Sequence, residues 1–174
     1  DVPRQLLSLQ YEGRRRPLDC GAQKGQDGDA SMSLADIYTE LIAEHSRSMV
    51  NKHHLEHASC SEKGHNPSCG DEITLELEVK DGIIKDAAFT GVGCAISQAS
   101  TSMMIDLVKG ETVEKAEHLA KLFIGMIKGE ITDEEELEEL DEAMALKNIS
   151  TMPARVKCAV LSWHTLGTAL QKET

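Results

Sequence analysis

The stretch Asn66–Phe89, NPSCGDEITLELEVKDGIIKDAAF, decides how the chain folds. Ile73, Leu75, Leu77 and Val79 alternate with Thr74, Glu76 and Glu78, the period-two pattern of a strand with one face buried and one wet. Lys80, Asp81 and Gly82 then form a hairpin signal, since Asp and Gly tolerate the positive φ that tight hairpins need. Ile83 to Phe89 reads as the returning strand. What precedes the first strand is less ordinary. Cys69, Gly70 and Asp71 follow one another in the loop leading into it, a thiol and a carboxylate two residues apart. In extended backbone, residues i and i+2 project to the same side. The two groups are therefore expected to face together, with Gly70 leaving room between them.

Elsewhere the pattern is helical. Ser33 and Asp36 have the form of a helix start. Leu34, Ile37, Tyr38, Leu41 and Ile42 fall on one face of a helix running to about Ser48. Asn51 to Asn66 reads as a polar loop. After the hairpin, TGVGC (Thr90–Cys94) breaks the strand pattern. A helix from about Ser97 to Lys109 follows, stopped by Gly110. Ser97, Ser100, Thr101 and Ser102 on it have no evident base partner, so they read as small packing residues beside the core candidates Met103, Met104, Ile105, Leu107 and Val108. Thr112 caps a helix ending at Lys128 before Gly129. Thr132 and Glu135 make a capping box for another, through about Lys147. Its acidic run from Asp133 to Glu142 reads as a solvated face, with Leu137 and Leu140 turned inward. The last helix opens near Pro153 and passes Trp163 to about Leu170. Helix, strands, then helices is an α+β order, with helices packed on a small antiparallel sheet.

Composition narrows the function classes. The chain has 174 residues, 40% of them hydrophobic but only 3% aromatic, so its core is mainly aliphatic. A net charge of −12 opposes nucleic acid as a partner. No apolar run approaches the roughly 18 residues of a membrane helix, so no membrane partner is expected and the protein reads as soluble and cytoplasmic. Residues 1–31 have balanced charges and no sustained apolar period, leaving the whole negative charge to the remainder. They are expected to be an unstructured, added leader, with Met32 as the natural initiator and 32–174 as the domain. The alternative is a natural arm in which Arg14, Arg15 and Arg16 have a role.

Five cysteines make a full disulfide framework an unlikely design, and scattered thiols in an unexported chain point toward metal or sulfur chemistry. Cys69, Cys94 and Cys158 all lie at element ends, where functional groups concentrate. Cys94 follows Gly91 and Gly93 and precedes a helix; Cys158 lies in the first turns of the last one. Amide donors there favour the thiolate. Three thiolates and the Asp71 carboxylate match a tetrahedral zinc site or part of an iron–sulfur cluster. Without a C-x-x-C knuckle, three unrelated buried thiols remain the competing reading. His53, His54, His57 and His65, with Cys60, make a second candidate, for which a solvated loop is the default. Cys60 is taken as a spectator. His45 and His118 read as surface or edge residues, and His164 as packed in or near the core.

Three motifs, NPSCGDEI (Asn66–Ile73), GVGCAISQASTSMM (Gly91–Met104) and MPARVKCAVLSW (Met152–Trp163), together resemble the SufU/IscU iron–sulfur cluster assembly proteins. The resemblance covers essentially Ser33 to Leu170 and implies a SufE/NifU-like fold with a sheet of about three strands. In the IscU branch a histidine precedes the last cysteine, and a Pro-Pro-Val-Lys docking motif lies just upstream. Here Lys157 precedes Cys158, the upstream text is MPARV, and extra helical text separates Cys94 from Cys158, as in SufU. The resemblance implies zinc bound by Cys69, Asp71, Cys94 and Cys158. It also implies that Cys69 accepts persulfide sulfur from a pyridoxal-phosphate cysteine desulfurase of the SufS type, for onward delivery to iron–sulfur scaffold proteins. Arg155 sits where the family contacts the desulfurase, and Lys157 is a second candidate contact. The alternative is a scaffold on which a labile [2Fe-2S] cluster is built from iron and sulfide; a purely structural zinc protein is a third reading. The histidine-rich loop departs from the Asn-Pro-Arg-Asn type of text expected after the first helix.

Overall fold

The computed structural model describes residues 34–173; the leader and the Ser33 cap lie outside the described residues. In chain order the elements are helix α1 (Leu34–Arg47), strands β1 (Cys60–Asn66), β2 (Asp71–Lys80) and β3 (Ile83–Val92), then helices α2 (Ala95–Val108), α3 (Val113–Lys128) and α4 (Glu134–Leu137). A 3-10 segment (Glu138–Thr151) and helix α5 (Pro153–Lys172) complete the domain. The strands form one antiparallel sheet in the order β1-β2-β3. The class is α+β, as the sequence implies.

The hairpin alternation holds. Ile73, Leu75 and Leu77 of β2 are fully buried, as are Ile84 and Ala87 of β3, while Asp81 and Gly82 turn the chain with positive φ. Strand β3 runs on through Thr90 and Gly91 to Val92, past the expected break. The larger correction is β1. Cys60 to Asn66 is a paired strand, not loop, with Cys60 opposite Leu77, Gly64 opposite Ile73 and Asn66 opposite Asp71. Its polar text hides it, because only Cys60, Gly64 and Asn66 turn inward. Gly64 is required there: a Cβ would lie 2.2 Å from Thr165 Oγ1 of α5, so the bare backbone lets helix and strand approach.

The helices cover one face of the sheet. Thr112 caps α3 by accepting the Lys115 N–H, and Gly129 closes it in the left-handed conformation. Phe123 of α3 stacks on Trp163 of α5, with ring centroids 4.2 Å apart and planes 9° from parallel. The Trp163 indole donates to Ser100 Oγ, which donates to the Ala159 carbonyl. Helices α2 and α5 are thus tied side by side, and each carries one of the candidate thiols near its N-terminus.

The acidic region differs from the sequence reading. Asp133, not Thr132, is the N-cap, accepting the Glu135 N–H. The helix lasts one turn before the 3-10 segment, which breaks at Asp141 (φ 49°, ψ −126°). Leu137 and Leu140 are buried as expected. Burying Ala143, Ala145, Leu146 and Ile149 as well requires a chain that turns more tightly than one straight helix.

Candidate metal centre

With β1 in place, Cys69 lies not in a lead-in loop but in the four-residue turn of a β1–β2 hairpin. Asn66 Oδ1 accepts the Ser68 N–H at 3.2 Å, and the Asn66 carbonyl accepts the Cys69 N–H at 3.3 Å. This is an Asx-type turn, in which a side-chain oxygen substitutes for a backbone acceptor. Gly70 follows with φ +69°, so Cys69 and Asp71 are brought together by a left-handed turn rather than by extended pleating.

Asp71, the first residue of β2, is fully buried. Its Oδ1 accepts the Cys94 N–H at 2.8 Å, and its Oδ2 faces the Asn66 amide at 3.4 Å. A buried carboxylate needs such donors. The sequence arranges the first of them through Gly93. A Cβ there would fall 3.0 Å from Asp71 Oδ1, 3.1 Å from Ser97 Oγ and 3.2 Å from Gln98 Nε2, so a side chain at 93 would press on the carboxylate. Cys94 itself is the N-cap of α2.

Cys158, fully buried in the second turn of α5, points its thiol at Cys69 with the sulfurs 3.1 Å apart. Burial pushes the Cys158 thiol up, and hydrogen bonds with Cys69, Asp71 and Cys94 push it further. A thiol so placed stays protonated at neutral pH unless a cation shares its pocket. The Arg155 guanidinium lies exposed at the rim of the cluster. It is raised above its ordinary value, first by a hydrogen bond to Cys158 and then by the charges of Cys94, Cys158 and Cys69. Lys157 is exposed one residue away.

Among the described residues, one group of three or more potential metal ligands stands together. The ligand atoms of Cys69, Asp71 and Cys158 lie within 4.8 Å of one another. The Cys94 thiol falls outside that distance, although it reaches Cys158 and its backbone amide holds Asp71. Two sulfurs and a carboxylate oxygen, with Asp71 and Cys158 buried and Cys69 exposed, are a donor set suited to zinc or to iron bound through sulfur.

The other candidates disperse. His53, His54, His57 and His65 are exposed and gather no such group; His54 instead pairs with Glu76 at 3.1 Å. Cys60 is buried against α5, donating to the Ala169 carbonyl, and stands apart from the other thiols. His164 is exposed rather than packed. His45 is not an edge residue: its side chain is 12% exposed, with Nδ1 against Ser102 Oγ at 3.0 Å and Nε2 against Glu142 at 2.7 Å. The site residue that sequence reasoning passed over is Asn66. Its signal was present in the Asn-Pro pair opening the motif, since Asn before a turn commonly accepts from the backbone two residues on.

Residues 37–172 match the family model described as the NifU-like N terminal domain. The chain is 45% identical over 136 residues to a Thermotoga maritima protein named iron-sulfur cluster assembly scaffold protein IscU, covering 78% of this chain and 94% of that one. It is 38% identical over 141 residues to a Bacillus subtilis protein named zinc-dependent sulfurtransferase SufU, covering 81% and 94%. A crystal structure from Fervidobacterium islandicum, assigned as an iron–sulfur cluster assembly scaffold of the SUF system, superposes with a TM-score of 0.72 at 38% identity. That match covers 79% of this chain and 99% of the other. Matched over residues 37–172 and along nearly the whole length of these relatives, the chain belongs to the NifU-like N-terminal domain family.

Proposed function

We propose that the protein is a zinc-dependent sulfur acceptor in iron–sulfur cluster assembly, working in the cytoplasm with a SufS-type pyridoxal-phosphate cysteine desulfurase. In this reading Cys69, Asp71, Cys94 and Cys158 hold the zinc, and Cys69 takes the sulfur. The observation that carries it is unequal exposure within one cluster: Asp71 and Cys158 are fully buried, whereas Cys69 is exposed on the hairpin turn. Of the three converging donors, Cys69 is the one a large partner presenting a persulfide reaches.

Zinc supplies a redox-inert positive charge that keeps nearby sulfurs as thiolates. The chain's own residues do the rest. The Cys69 thiolate attacks the outer sulfur of the partner's cysteine persulfide. One sulfur–sulfur bond forms on Cys69 as the partner's breaks, and the partner's cysteine leaves as a thiolate, with no net oxidation. The Arg155 guanidinium, at the rim of the three sulfurs, favours the anionic forms on both sides of the exchange. Asp71 and Cys158, anchored on β2 and α5, stay in place while Cys69 reaches outward. Lys157, exposed beside Cys158, is available to the partner's surface, and the sulfur passes on to downstream scaffold proteins.

The second reading, a scaffold whose cargo is iron and sulfide assembled as a labile [2Fe-2S] cluster, is favoured by the same sulfur-rich donor set and by the scaffold name of the Thermotoga relative. Lys157 in the position before Cys158 favours the first, since a protonated lysine is no ligand. The test is direct. The protein purified in air should hold about one zinc per chain and should raise cysteine turnover by a SufS-type desulfurase, and Cys69→Ala should abolish that rise. Full stimulation by Cys69→Ala, or a folded and active protein without metal, would sink the reading; a bound iron–sulfur chromophore after anaerobic assembly, without stimulation, would support the scaffold instead.

A further inference from the structure

Asn66, not itself counted as a ligand, touches three residues of the candidate centre, Asp71, Cys158 and Cys69. It is 4% exposed and pairs directly across the sheet with Asp71. Its Nδ2 lies 3.4 Å from Asp71 Oδ2 and 3.6 Å from Cys158 Sγ. Its Oδ1 and its carbonyl accept the N–H groups of Ser68 and Cys69, on either side of the turn's exposed thiol. The other carboxylate oxygen, Asp71 Oδ1, is already taken by the Cys94 amide. The side chain uses both of its capacities at once, donating toward Asp71 and Cys158 and accepting from Ser68, while the backbone carbonyl holds the Cys69 N–H. Aspartate lacks the donors. Serine keeps an acceptor short enough for the turn but does not reach Asp71 and Cys158.

We propose that Asn66 is a positioning residue for the metal centre: it ties the Asp71 carboxylate, the buried Cys158 thiol and the backbone of the hairpin turn into one unit, from which the exposed Cys69 side chain projects. The inference rests on the zinc-site reading above. Groups that orient metal ligands commonly change affinity by tenfold to a hundredfold when removed, and Asn66 orients two ligands through its amide and the turn of a third.

The test compares wild type, Asn66→Ser and Asn66→Ala. Serine retains the turn acceptor and loses the donors; alanine loses both. Zinc affinity is measured by chelator competition, cobalt(II) binding by its visible spectrum, and folding of the metal-free proteins by circular dichroism and thermal melting. Asn66→Ser should bind zinc roughly tenfold or more weakly and give a cobalt spectrum of altered shape, with metal-free melting close to wild type. Asn66→Ala should show the same metal defect plus a lower melting temperature from the lost turn. Wild-type affinity and cobalt spectrum in Asn66→Ser would overturn the proposal, as would a metal defect that merely tracks loss of folded protein across the two variants. If wild type itself binds neither metal, the zinc-site reading falls and the proposal with it, an outcome distinct from a variant that binds as wild type does.

Discussion

Two polar clusters among the described residues are built on opposite plans. The sulfur cluster gathers Cys69, Asp71 and Cys158 from a turn, a strand and a helix, and its donors converge on one another with a thiol exposed at the edge. The second cluster joins α1, α2 and the 3-10 segment. There His45 bridges Ser102 and Glu142, and Asn51 donates to Ser102 and Asp106 and accepts from Lys109, which also pairs with Asp86. Here donors meet acceptors at every step, so the groups satisfy one another and hold elements together. A cluster with like groups facing inward invites a cation; one with complementary groups closes on itself. The first has the form of a site, the second that of a clamp.

The comparison breaks most sharply at the ligands. Asp71→Ala should drop zinc content from about one per chain to near zero, while His45→Ala should leave it unchanged; metal analysis of both variants after gel filtration decides. Retention of zinc by Asp71→Ala would remove the carboxylate from the site. Arg155→Ala tests the rim. It should lower desulfurase stimulation by about a few-fold, as befits an exposed charge, and leave zinc content intact.

The clamp should answer in stability rather than in sulfur transfer. His45→Ala removes two hydrogen bonds from a largely buried side chain and should cost about 1–2 kcal/mol by urea denaturation. The hydrogen bond to Glu142 raises His45 from its usual 6.5 against the opposing effect of burial, and Glu142, Asp106 and Glu44 add favourable charge; the same bond lowers Glu142. The stability from His45 is therefore fully present below pH 6.5 and fades as pH rises through the raised folded value. At the acid end, the Glu142 contribution is present above its usual 4.5 and fades as pH falls through its depressed value. The gap between wild type and His45→Ala should be widest between these limits; a gap that grows toward alkaline pH would contradict the pairing. The smallest expected effect is next to the clamp. Asp141 adopts φ 49° and ψ −126°, a conformation costly for any residue with a Cβ. Asp141→Gly should stabilise by about 1 kcal/mol, read as a raised urea midpoint with zinc content unchanged.

How legible each region was follows from the same contrast. The β2–β3 hairpin and α3 could be read because alternation, Asp-Gly and the Thr112 and Gly129 caps act through near neighbours. Cys69, Asp71, Cys94 and Cys158 could be put forward together because unusual residue types stood at element ends and motif resemblance joined them; the ligand atoms of three of them converge in the structure. Strand β1 was missed because its inward positions are Cys60, Gly64 and Asn66, chosen for close approach and for the turn rather than for hydrophobicity. The acidic segment looked like a helix because its composition is helix-forming, yet burial of its C-terminal half demanded a tighter path. His45 looked like an edge residue because its partner Glu142 lies 97 positions away, inside an acidic run that reads as a solvated face.

The central claim is that Cys69, the exposed member of the cluster, is where sulfur arrives. Peptide mass mapping tests it most directly, after the zinc-loaded protein has been treated with a SufS-type desulfurase and cysteine. The account predicts one added sulfur atom on the peptide bearing Cys69, with Cys60, Cys94 and Cys158 unchanged. Sulfur on Cys94 or Cys158 with Cys69 unmodified would contradict it.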